Sequence, residues 1–207
     1  MTASPHDRLP DATPSAGGGS PVAVRLMRAL ERSAVLDRLG GPVGALSAVA
    51  QPPWARDLLT GRALGHALHP AMTDVPIGLW SSSLLLDVLG HEQDRPASRR
   101  LLAAGLLSAV PTVVTGLAEW RSTTRPESRV ASVHASLNAV SVGLYAGSLA
   151  ARRGSPRAGV ALSLAATTVA TVAGVLGGHL ATARKTGSRD PSYLVDGVGP
   201  QLSRGTP

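Results

Sequence analysis

The chain has 207 residues, room for one domain plus tails, and a formal net charge of +7. It has no Cys, which excludes disulfides, Cys-ligated zinc and iron–sulfur clusters held by this chain alone. All of its basic residues but Lys185 are Arg, and only 2% of residues are aromatic, so the basicity reads as compositional bias and not as a nucleic-acid surface.

Residues 1–19 are polar and rich in Pro, Gly and Ser, and read as a disordered tail. Residues 20–64 form a helical lead-in. Ser20-Pro21 starts an amphipathic helix with Val22, Leu26, Leu30 and Ala34 on one stripe, joined by Met27. Arg25, Arg28, Arg32 and Asp37 lie off that stripe, and Gly40-Gly41 is the expected stop. Such a helix suits the surface of an anionic bilayer, or packing on the bundle or on a partner. Residues 42–50 add a short second helix, ended by Pro52-Pro53. No signal peptide is expected, because the first 20 residues lack an apolar core.

Four apolar segments follow within residues 65–186. They cover residues 70–90, 101–118, about 130–151 and about 158–183, each long enough to span a bilayer. The links between them are short and polar: HEQDRPASRR, RSTTRPESR and RRGSPR. Short links force antiparallel neighbours. The expected fold is therefore all-α: a four-helix transmembrane up-down-up-down bundle with an N-terminal amphipathic helix. Pro70 suits the first helical position, which puts His69 at the N-cap. Pro76 and Pro111 fall inside helices and predict kinks. Small residues recur every four positions, as Ala131, Ala135, Ala139, Gly143, Gly147 and Ala151, and as Ala166, Ala170, Gly174 and Gly178. They predict close helix packing. Residues 187–207 read as a flexible C-terminal tail.

Up-down topology brings four of the six histidines to one membrane face: His66, His69, His134 and His179. Polar stripes lie behind them. His134, Asn138, Ser141 and Tyr145 share one face; Gly105, Ser108, Thr112, Thr115 and Glu119 share another; Thr168, Thr171, Val175 and His179 share a third. Asp74 lies just inside the first span. Ionisable groups in a membrane are costly and usually face the bundle interior. Two imidazoles on facing helices can clamp a haem iron. Three, here His69, His134 and His179, with Glu119 or Asp74, can hold zinc, copper or non-haem iron. Without a metal they can relay protons. The plainer alternative is a capping His69, with His134 and His179 at the headgroup level and hydroxyl stripes that serve as interhelical bonds. No hydrolytic signature, nucleophile elbow or phosphate loop appears, and no inverted repeat of the transporter kind.

GHALHP with PIGLW, the GLAEW closing the second segment, the HASLNA opening the third and the GGHL closing the fourth resemble family 2231 of the domains of unknown function. The resemblance covers roughly residues 22–186. It implies a bacterial multi-pass protein of the cytoplasmic membrane. Some members carry a Rieske domain after the fourth helix and others sit beside cytochrome modules, which implies redox work. His66, His69, His134 and His179 match the family's histidine motifs. After Lys185 this chain has no Cys-His cluster ligands, so an electron partner would be a separate redox protein. The competing expectation is an accessory membrane protein that docks a partner through residues 21–50 and needs no cofactor. The charge balance of the loops, eight basic residues on the histidine side against six, is nearly neutral. The long charged N-terminal tail, awkward to move across a membrane, leads to the expectation that both termini and the histidines face the cytoplasm.

Overall fold

The computed structural model describes residues 20–49 and 53–191. The tail expected over residues 1–19 and most of that expected over 187–207 lie outside the described residues. Seven α-helices follow in order: α1 (Val22–Arg32), α2 (Asp37–Val49), α3 (Arg56–Leu59), α4 (His69–Leu89), α5 (Arg95–Glu119), α6 (Arg125–Ala151) and α7 (Pro156–Gly178). A π turn, His179–Ala183, extends α7. Among the described residues there is no strand, only an isolated bridge between His66 and Arg189.

The long helices α4 to α7 pack as two hairpins, α4 with α5 and α6 with α7, which then pack on each other. Two of them, extended by their short end turns, are long and apolar enough to cross a membrane: Glu92–Ser122 and Pro156–Ala183. At most a third of the apolar window in each is buried. Large apolar side chains face outward on all four helices, among them Leu85, Leu107, Val110, Val140, Leu164 and Val172. The interior combines a small core around Trp80, Leu102 and Tyr145 with many buried hydroxyls. Ser83, Ser98, Ser132, Ser141, Ser148 and Ser163 are all essentially inaccessible.

The spacing of the buried positions explains the packing. On α5 Ser98, Gly105, Thr112 and Glu119 are buried seven residues apart, and on α7 Gly159, Ala166 and Ala173 are. A seven-residue step drifts only about 20° round a helix, so such a seam stays on the partner. A four-residue step drifts about 40° at 3.6 residues per turn. The expected small-residue stripes accordingly wind out of the interface: Ala139, Gly143, Gly174 and Gly178 are exposed. The packing small residues are Gly105, Gly116, Gly159 and Gly177, where an added Cβ would strike the neighbouring helix.

The two hairpins also repeat each other. His69, Trp80, Ser83 and Asp87 on α4 recur 65 residues later as His134, Tyr145, Ser148 and Arg152 on α6. Ser98, Gly105, Thr112 and Gly116 on α5 recur at one constant offset as Gly159, Ala166, Ala173 and Gly177 on α7. Their bonds repeat as well. Ser83 Oγ donates to the Ser98 carbonyl at 2.9 Å, and Ser148 Oγ to the Gly159 carbonyl at 2.7 Å. The equivalent residues of α4 and α6 meet pairwise: Trp80 stacks on Tyr145 at 4.2 Å, and Asp87 pairs with Arg152.

The lead-in differs from its expected form. The break comes at Ser33, not at Gly40-Gly41, and α2 runs through both glycines and Pro42. Asp37 fixes that break. It opens α2, where a negative charge is favourable, and accepts from Arg129 at 2.7 Å and from Arg125 at 2.9 Å. Met27 and Leu30 pack on Val130, Leu176 and Leu180, while Val22 and Leu26 stay exposed. Ser47 Oγ donates to the Leu117 carbonyl at 2.8 Å, tying α2 to the end of α5.

Candidate functional site: a pair of buried histidines

His69 is the first residue of α4 and does not cap it. Its ring crosses to α5, where Nδ1 donates to the Thr112 carbonyl at 2.9 Å. Thr112 returns the link, since its Oγ1 donates to the Met72 carbonyl at 3.0 Å. That carbonyl has lost its own helical partner, because Pro76 has no N–H. The proline therefore supplies an acceptor between helices, and α4 continues through it.

His134 repeats this arrangement on the second hairpin. Its Nδ1 donates to the Ala173 carbonyl of α7 at 2.8 Å. A carbonyl only accepts, so Nδ1 carries the proton in both rings, and Nε2 holds the lone pair of the neutral form. His134 Nε2 accepts from Asn138 Nδ2 at 3.1 Å. Each ring lies over a glycine one turn beyond its carbonyl partner. A Cβ at Gly116 would come within 2.8 Å of His69 Cε1, and one at Gly177 within 2.8 Å of His134 Cε1. The two rings meet edge to face with centroids 6.4 Å apart.

The other two expected site residues stand apart from this pair. His179 points to the lead-in, where its Nε2 lies 2.9 Å from Glu31 Oε1. Arg184 reaches the same oxygen at 3.4 Å. His66 is exposed and lines a cavity of about 480 Å³ with Arg56, Asp57, Arg62 and Arg189. Asp74 is exposed. Glu119 is buried, but Ser188 takes its Oε2, through N at 2.8 Å and Oγ at 3.1 Å. With Asp190 N donating to the Gly65 carbonyl at 2.8 Å, this folds residues 186–190 back against the start of α4. Among the described residues, no three His, Asp or Glu side chains converge as a metal cluster.

The polar stripes divide. On α5 Gly105, Thr112, Thr115 and Glu119 are buried, as that stripe predicts. On α7 Thr168, Thr171 and Val175 face outward. Thr168 and Thr171 donate to the carbonyls of Leu164 and Thr167 in their own helix. A hydroxyl satisfied in that way can sit on an apolar surface.

These histidine-bearing segments coincide with a family match. Residues 65–190 match the profile described as "Predicted membrane protein (DUF2231)". The chain belongs to that DUF2231 family. Neither a curated protein nor a solved structure matches it. The match covers more than half of the chain, from the glycine before His66 to the residue after Arg189, and so includes the four long helices and the returning segment.

Proposed function

We propose that this DUF2231 protein crosses the bacterial cytoplasmic membrane four times, up-down-up-down, and carries a two-histidine metal centre for membrane electron transfer. Support for the four spans is the inverted polarity of the bundle. Apolar side chains face out on α4, α5, α6 and α7, while serines, threonines and an ion pair face in.

The observation that carries the metal centre is the His69–His134 pair. Both rings have Nδ1 committed to a main-chain carbonyl, the outer-shell bond that usually orients a metal-binding imidazole. The ring centroids lie 6.4 Å apart, but the rings meet edge to face, so one ring would turn to bring both in-plane Nε2 lone pairs onto a shared ion. Nε2 of His69 and Nε2 of His134 would be the atoms to hold a haem iron or a soft ion such as Cu(I). Such a centre would supply one-electron chemistry. The chain's own part is to fix both tautomers, and Asn138 yields Nε2 of His134 when an ion binds. His179 stands in reserve as a ligand that a shift of the lead-in would release from Glu31, and the exposed His66 is a second reserve.

Spectra and metal analysis of detergent-purified protein test this. A Soret band, or about one copper or iron per chain, is expected, abolished by His69→Ala and by His134→Ala and unchanged by His91→Ala at the opposite end. Protein with neither a Soret band nor stoichiometric metal overturns the reading. Orientation is proposed with both termini and the histidines cytoplasmic. A Cys introduced at Ser122 should then resist an impermeant reagent in intact cells, and its labelling would reverse the assignment.

A second reading rests on a different observation. Val22, Leu26, Val35, Leu39 and Leu46 of the lead-in remain exposed although α1 and α2 are clamped to the bundle. That surface suits lipid or a protein partner, and makes the chain an accessory membrane protein. In that case deletion of residues 21–50 abolishes partner capture, while the histidine variants retain it.

A further inference from the structure

At the end of the bundle opposite the histidines lies a cleft of about 960 Å³. The starts of α5 and α7 and the last turns of α4 and α6 bound it. Its rim is basic: Arg95, Arg99 and Arg100 from α5, Arg153 just after α6, and Arg157 from α7. Its wall is apolar, formed by Ala103, Leu149, Val160 and Leu164.

The charges there do not cancel. Asp87 is taken by Arg152, and Glu92 by Arg95 at 2.7 Å. Arg99, Arg100, Arg153 and Arg157 are exposed and have no acidic partner among the described residues. Two of these guanidiniums stand at the start of α5, and two beside the start of α7. A guanidinium binds a phosphate through paired N–H donors. The apolar wall descends from the rim along outward-facing residues such as Leu164.

We propose that this cleft binds an anionic phospholipid, with phosphate on the arginines and an acyl chain along Val160 and Leu164. A two-phosphate lipid of the cardiolipin type fits best, because the unpaired arginines sit on two walls. Basic pockets between membrane helices on the cytoplasmic side bind such headgroups. In the orientation proposed above this cleft faces the outer leaflet, so the unpaired guanidiniums themselves, and not the inner-leaflet surface potential, hold the phosphate. This inference rests on the four-span reading, which puts the rim at the headgroup level.

Native mass spectrometry of the full chain, released from nanodiscs of phosphatidylcholine doped with phosphatidylglycerol or cardiolipin, tests it. The expected result is about one retained anionic lipid per chain, cardiolipin over phosphatidylglycerol, and no retained phosphatidylcholine. Each Arg→Gln change among Arg99, Arg100, Arg153 and Arg157 should weaken retention about fivefold. Arg25→Gln and Arg28→Gln on the lead-in should leave it unchanged. Equal retention of all three lipids overturns the proposal, as does displacement by millimolar inorganic phosphate, which would make the ligand a free anion. The spanning reading is checked separately by single Cys at Leu107 and Val140, clean because the chain has no Cys. Labelling of both by a water-soluble maleimide sinks the spans themselves. Protected cysteines with no lipid retained sink the lipid site alone.

Discussion

Asp87 and Arg152 occupy equivalent positions in the two helical hairpins, and they bond to each other. Arg152 Nη1 lies 2.8 Å from Asp87 Oδ1, and both side chains are almost wholly buried. Ser98 Oγ donates to the same carboxylate oxygen at 2.6 Å, and Ser163 Oγ accepts from Arg152 Nη2 at 3.1 Å. The repeat has diverged in charge at this contact between its two copies, whereas the His69–His134 contact keeps the same residue in both.

Removing one partner should therefore leave a buried charge uncompensated. Asp87→Ala or Arg152→Ala is expected to cost about 3–5 kcal/mol. The exchange Asp87→Arg with Arg152→Asp should recover more than half of that, because the positions are equivalent. It should not recover all, because Leu102 stands where the relocated guanidinium would want the counterpart of Ser163. Thermal unfolding in detergent measures each variant, and a swap no better than either single change would deny the equivalence.

The glycines under the two rings make a second prediction. Gly116→Ala and Gly177→Ala each drive a Cβ into an imidazole, and should destabilise the bundle by about 1–3 kcal/mol. Gly143 and Gly174 have open space around them. Their alanine variants should be neutral or gain up to about 1 kcal/mol of helix preference. The contrast is read from the midpoints of four unfolding curves. Equal effects at all four sites would mean that the rings do not sit where the helices approach.

That contrast also marks what the sequence discloses. The four long helices, the short links and the histidine side follow from hydropathy and length, and the structure places helices there. The four-residue stripes of α6 and α7 point to the wrong packing face, because an Ala-rich helix offers many such stripes. On α7 the one that packs is the seven-residue seam of Gly159, Ala166 and Ala173, whereas the buried polar face of α5 is legible in its sequence. The repeat was legible as His-x10-aromatic-x2-Ser-x3-charge, at His69 to Asp87 and again at His134 to Arg152. It was masked because Asp and Arg, or Trp and Tyr, look unrelated until they are seen in contact. The partners of His179 and Asp37 were not legible at all. Glu31 and Asp37 lie in the lead-in, far in sequence from His179 and Arg129, and only the bend at Ser33 lets both reach the bundle.

The lead-in clamp should respond to acid. The hydrogen bond from Arg129, aided by Arg125, holds the Asp37 carboxyl down to about 2, against 3.8 for an ordinary aspartate. The folded form thus favours the ionised group. Its stabilisation is complete above pH 3.8 and is lost as the pH falls from there to about 2. Pepsin, active in that range, should cut within α1 and α2 increasingly as the pH falls through it. The Asp37→Asn variant should be cut readily throughout, and a parent chain with a flat profile would exclude Asp37 as the clamp.

Glu119 sets the last test. Its Oε2 accepts two bonds from Ser188, while Oε1 is buried without a partner. No cation stands beside it among the described ion pairs. A carboxylate in that setting holds the returning segment at a desolvation cost that a neutral acceptor would avoid. Glu119→Gln keeps an oxygen for Ser188, and should hold stability or raise it. Glu119→Ala removes the acceptor, strands the Ser188 N–H and should cost about 1–3 kcal/mol. The same variant should free residues 186–190, so that trypsin cuts after Lys185 and Arg189 faster than in the parent chain or in Glu119→Gln. If Gln proves as damaging as Ala, the charge itself is required, and a cation bound near Oε1 becomes the explanation to pursue by metal analysis of the two variants.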